Sequence, residues 1–113
     1  MRNMSFMLTT EQFKNRTKIV TRRLGWWFLE HGDTVQAVEK GMGLKKGETV
    51  VKLGLIYIIS THPQQLDLIT EKEVAREGFP GKSPEWFIDM FCKSHKKCTP
   101  QTLVNRIYFS YLD

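Results

Sequence analysis

The stretch NRTKIVTRRLGWW, residues 15–27, crowds Arg16, Lys18, Arg22 and Arg23 around the hydroxyls of Thr17 and Thr21. A lysine beside a threonine is a chemically meaningful pair. Burial disfavours the lysine's charge, and the resulting amine can take the hydroxyl proton and make threonine a nucleophile. A nearby carboxylate would then shuttle protons. On an ideal strand, residues three apart point to opposite faces, so Lys18 and Thr21 converge only where a turn or bulge intervenes. Without convergence the cluster is a solvated basic face, the commoner fate of Lys and Arg on a strand.

Binding chemistry is a second reading of the same residues. Lys14, Arg16, Arg22 and Arg23 suit phosphate groups, and an indole of Trp26 or Trp27 suits stacking on a base. Adjacent strand residues face opposite sides, so one tryptophan packs the core and the other is exposed.

Two other groups have chemical potential. Glu77 ends a helix, where the dipole disfavours an anion. Glu71 and Glu73 occupy the first turn of that helix and are explained by capping and the dipole. The pattern Cys92-x2-His95-x2-Cys98 carries zinc-type donors, but a structural zinc site wants four ligands and the intervening lysines repel a dication. The stretch reads as a basic loop with Cys92 packed beside Phe91. There is no phosphate loop, dinucleotide fingerprint or carboxylate pair at metal spacing, so no cofactor or metal is called for.

The elements that must position these groups follow from local signals. SFML, residues 5–8, reads as a short first strand, and Thr9 or Thr10 as the cap of a short helix through EQFKNR. KIVTRRL and the closing TLVNRIYFSYLD alternate as strands do. EHGDTV and KKGETV read as turns into strands. TVVKLGLIYIISTH is the strongest strand region, with Gly54 marking a bend or bulge. Thr70 and Glu73 form a capping box, and Gly78 is a natural stop for that helix. Ser83 and Pro84 start another helix, whose apolar stripe is Trp86, Phe87, Met90 and Phe91. Strands at both ends predict a closed or nearly closed barrel, since pairing them removes exposed edges.

The totals agree with one folded domain over residues 1–113. The chain is 41% hydrophobic and 12% aromatic, enough to bury a core. Its net charge of +5 favours polyanionic partners. No apolar run nears the ~20 residues of a membrane span, so no membrane partner is expected. Two cysteines are too few for a disulfide framework and point to a reducing, cytoplasmic setting.

RTKIVTRRLGWW followed by HGDTV resembles the ASCH domain family of the PUA-like superfamily. Lys18, Thr21 and Arg23 fall on that family's Gly-x-Lys-x-x-Glu/Thr-x-Arg pattern, and Gly32-Asp33 supplies its turn. LITEKEVAREGF and RIYFSYL resemble its later helix and closing strand, so the likeness spans nearly the whole chain. The extended wording looks most like small ASCH-type proteins carried by phages and prophages. One departure is Arg16, where the family usually has glycine.

The resemblance implies an α+β fold: a PUA-like β-barrel of five to six strands with two to three short helices at its side and a cleft beside it. It implies RNA, single-stranded nucleic acid or a modified nucleoside as partner. One branch of the family removes the acyl group from N4-acetylcytidine with a lysine, a threonine and a glutamate, which here would be Lys18, Thr21 and Glu77. On this reading Arg16 and Arg22 contact ligand at the surface and Arg23 lines the cleft. A phage host-interaction protein is the non-catalytic alternative.

Overall fold

The longest element forms where the sequence is richest in β-branched and apolar residues. This strand, β4, runs Lys52–Gln65. It pairs antiparallel with β3 (Thr34–Val38) on one side and β5 (Leu103–Tyr111) on the other. The short β1 (Asn3–Ser5) adds parallel to β3, and β2 (Val20–Arg23) adds antiparallel to β5. The sheet order is β1-β3-β4-β5-β2. The structure, a computed structural model, describes residues 1–41 and 44–112.

Two irregularities curl this sheet. Ala37 faces Gly54 but Val38 faces Lys52, so Leu53 is an extra residue beside Gly54. A second shift leaves Ile59 extra between Ile58 and Ser60. Such bulges bend a strand and increase its twist.

The sheet is α+β with three short helices, but it is not closed into a barrel. The expected pairing of the terminal strands fails because β5 is buried inside the sheet, between β4 and β2, and β1 is held by β3. Curling still brings the two edges near one another. The Arg23 guanidinium, at the end of β2, lies 4.8 Å from the ring centre of Phe6, just past β1.

SFML does not extend the first strand. β1 ends at Ser5, and Met7–Thr9 forms a 3-10 turn leading to α1 (Thr10–Lys14). Thr10 Oγ1 donates to the Phe6 carbonyl at 2.9 Å and ties this turn down. The later helices start as the sequence indicates. Thr70 Oγ1 accepts from the Glu73 amide at the start of α2 (Glu71–Arg76), and Ser83 Oγ accepts from the Trp86 amide at the start of α3 (Pro84–Ser94).

Apolar side chains form two clusters. Met4, Phe6, Phe13, Ile58, Ile107 and Phe109 belong to the first. Leu66, Ile69, Val74, Phe87, Phe91 and Val104 make the second. Val104 and Ile107 sit on opposite faces of β5, so the clusters lie on opposite sides of the sheet there. Each such side chain contributes about 1.5–3 kcal/mol when fully buried. Buried ion pairs roughly break even against their desolvation. The clusters therefore hold the layers together more than the ion pairs between β2, α2 and β5 do.

Candidate functional site

A cleft of about 230 Å³ is lined by Lys18, Thr21, Arg22, Arg23 and Glu77 together with residues 5–9 and the inner side of α3. Three consecutive residues of one strand can share a cleft only if it follows the strand's edge, because alternate side chains leave by opposite faces. β2 is an edge strand, so its unpaired side is the cleft wall.

The turn needed to bring Lys18 near Thr21 lies just before β2. The amides of Thr17 and Lys18 both donate to the Gln12 carbonyl, and Arg16 adopts φ +62°. The Ile19 amide then donates to the Arg76 carbonyl at 2.8 Å, drawing the chain against the end of α2. Lys18 is thereby buried before the β2 ladder begins. Its Nζ donates to Glu77 Oε1 at 2.7 Å and to the Glu77 carbonyl at 2.9 Å. The contact with the carbonyl caps α2, and the contact with the carboxylate resolves the anion's conflict with the helix dipole.

Arg22 corrects the sequence expectation. It does not face solvent; its side chain is fully buried. It donates to Glu77 Oε2 at 3.0 Å, Gln64 Oε1 at 2.8 Å and Glu73 Oε1 at 2.9 Å. Its direct cross-strand partner is Arg106, an arrangement that would repel. Glu73 relieves it by accepting from Arg22, Arg106 and Arg76. Glu73 is thus more than a capping-turn residue: it is the central anion of a buried network.

Arg23 is the cation of β2 with no carboxylate partner among the described residues. Its Nε donates to Thr21 Oγ1 at 3.0 Å, and its guanidinium rests on the Phe6 ring. Among the described residues, Arg22 Nε is the one buried side-chain polar atom without a hydrogen-bond partner.

Titration behaviour follows the burial. Desolvation pushes the Lys18 ammonium below its ordinary value; Glu77 opposes this, and Arg23 and Arg22 reinforce it. Burial brings the Arg23 guanidinium down to about 10, still charged at neutral pH. Burial pushes the Glu73 carboxyl up, but the contacts with Arg106, Arg76 and Arg22 outweigh it and hold the group at about 2.

The remaining candidates are spread around this centre. Lys14 and Arg16 are exposed, with Arg16 stacked 4.9 Å from the Tyr111 ring centre. Trp26 packs against the first apolar cluster, whereas Trp27 is 53% exposed. Sequence reasoning missed the cleft's aromatic wall of Phe6, Phe79, Phe87, Phe91 and His95. His95 stacks on Phe91 at 4.2 Å, and its Nδ1 lies 2.8 Å from the Phe91 carbonyl. The i, i+4 spacing of Phe91 and His95 was the available signal. Among the described residues no three His, Cys, Asp or Glu side chains converge as a metal site, and no helix is long and apolar enough to cross a membrane.

The curled, open sheet with a charged cleft at its edge is similar in fold to two solved structures, one of them an ASCH domain. The chain matches the ASCH domain of Lactobacillus crispatus JV V101 with a TM-score of 0.66 and 16% identity, over 97% of this chain and 78% of that one. It also matches a DUF984 protein of Enterococcus faecalis V583 with a TM-score of 0.59 and 11% identity, over 94% and 71% of the two chains. No family model and no curated protein matches the sequence.

Proposed function

We propose that the cleft binds a single flat, polar ring of nucleobase size, presented by RNA or by a modified nucleoside. The observation that carries this reading is the joint lining of one small cavity by aromatic rings and cations. The volume of about 230 Å³ is below the ~300–1,000 Å³ of drug-sized sites, so it suits one ring system rather than a length of chain. Phe6, Phe79 and His95 offer ring contacts, and the Arg23 guanidinium offers donors to carbonyl oxygens or ring nitrogens. The exposed Lys14 and Arg16 would contact phosphates outside the cavity. The ASCH-type fold supports a nucleic-acid partner in general.

The test is an NMR titration with cytidine, N4-acetylcytidine and a short single-stranded RNA, using wild type and Arg23→Ala. Saturable shifts at Thr21 and His95, with affinity about tenfold weaker in Arg23→Ala, are expected from loss of a charge-assisted donor. Equal affinity of the two proteins would sink the proposal.

A second reading is favoured by the meeting of Lys18, Thr21 and Glu77 at one cleft. Lys18 would first pass a proton to Glu77; Thr21 would then attack an exocyclic amide carbonyl while the neutral Lys18 amine takes its proton, and Glu77 would deliver its own proton to the departing amine. Arg23 already donates to Thr21 Oγ1, which favours developing negative charge on that oxygen. Water would then release the acyl group from threonine. Turnover of N4-acetylcytidine by wild type and not by Thr21→Ala is the expected result. No turnover by wild type, or equal rates, would eliminate hydrolysis.

A further inference from the structure

The sulfurs of Cys92 and Cys98 lie 3.7 Å apart, one on α3 and the other in the loop that follows it. Both are free and half-buried. They share a second, separate cleft with Glu85, Ile88, Asp89, Thr99 and Pro100, which opens the pair to a small molecule. A disulfide needs a sulfur separation near 2.05 Å, so closure calls for a movement of about 1.7 Å. The intervening residues 93–97 hold Lys97 at φ +59° and contain Ser94 and His95, which line the first cleft. The bridge would therefore span the segment that forms one rim of that cleft.

We propose that Cys92 and Cys98 are a redox-modification site, a dithiol that oxidises to an intramolecular disulfide and fixes Ser94 and His95 at the cleft rim. The oxidant is an acidic small-molecule disulfide such as glutathione disulfide, which the exposed Lys96 and Lys97 would attract. One cysteine thiolate attacks the oxidant's disulfide, forming a mixed disulfide and releasing one thiol. The other cysteine attacks the protein sulfur of that intermediate and expels the second thiol. The two cysteines lose two electrons and two protons, and the oxidant leaves as two thiols. This assignment does not depend on what the first cleft binds.

The experiment equilibrates the protein with glutathione and glutathione disulfide at several ratios. It then traps free thiols with N-ethylmaleimide and maps the peptides by mass. A Cys92–Cys98 bridge is expected, with loss of two hydrogens, reversal by dithiothreitol, and absence from both Cys92→Ser and Cys98→Ser. The His95 ring resonances should move on oxidation of wild type and stay in place in both variants. Stable glutathione adducts or disulfide-linked dimers instead of the internal bridge would overturn the proposal. Unmoved His95 resonances in the bridged protein would overturn its link to the cleft.

Discussion

Lys18 and Glu77 meet twice, because the ammonium donates both to the carboxylate and to the main-chain carbonyl of the same residue. One side chain thus closes a helix and neutralises an ion. Glu77→Gln removes the anion but leaves Lys18 and Arg22 buried beside it. Removing one partner of a buried pair typically costs about 3–5 kcal/mol. Urea denaturation should show a loss of that order, and a loss under ~1 kcal/mol would mean that the pair is not sealed from water.

Glu73 should govern acid stability. Its carboxyl titrates at about 2 in the folded protein against an ordinary 4.5. A depressed carboxylate contributes stability that is present above the unfolded value and lost as pH falls toward the folded one. The shift corresponds to at most about 3 kcal/mol, reduced by solvent screening and lost between pH ~4.5 and ~2. Wild type should therefore be more stable than Glu73→Gln at pH 6, and the two unfolding curves should converge near pH 2. A constant gap across that range would contradict the assignment.

At the alkaline end the relevant group is Tyr111. Its hydroxyl donates to the Lys18 carbonyl, and burial raises its pKa to about 12, against a weaker opposing effect from Arg16. The folded state holds this proton while the unfolded chain releases it, so stability falls as pH rises from 10 toward 12. Phenolate absorbance should include one tyrosine titrating near 12. Tyr111→Phe should lack that step; if the step persists, it belongs to another residue.

Gly78 lets α2 come close enough for Lys18 to reach it. Its φ is +107°, and an added Cβ would lie 2.8 Å from both Cβ and Cγ of Gln12 and 3.4 Å from Lys18 Cβ. Gly78→Ala combines unfavourable backbone geometry with a collision against the side chain of Gln12, whose main-chain carbonyl accepts from the Lys18 amide. A loss of about 1–3 kcal/mol is expected from the backbone conformation alone. Thermal unfolding measures it; unchanged stability would show that α1 and α2 can separate freely.

Local signals were readable in the sequence, and relations across the sheet were not. Thr70, Glu73 and Ser83 announced their helices because a cap involves residues three apart. Glu77 stood out for the same reason, as an anion at the wrong end of a helix. Arg22 was placed at the surface because arginines usually lie there. Its burial depends on the register that sets it opposite Arg106 and on Glu73 answering both. The barrel expectation failed at β5, whose sequence marks it as a strand without saying which neighbours it takes. The aromatic cleft wall was hidden because residues 6, 79 and 87–95 meet only after the helices fold over the edge of β2.

The place of β2 in the sheet has a consequence for synthesis. Among the described residues its one strand partner is β5, and about 80 residues separate the two. At about 5–20 residues per second, a ribosome adds that length in roughly 4–16 seconds. Through that interval Lys18, Thr21 and Arg22 have emerged but have no sheet to join. No residue lining the first cleft lies on β5, yet the cleft cannot take shape until β5 arrives. The site is therefore a late product of translation, completed by a strand that contributes none of its walls.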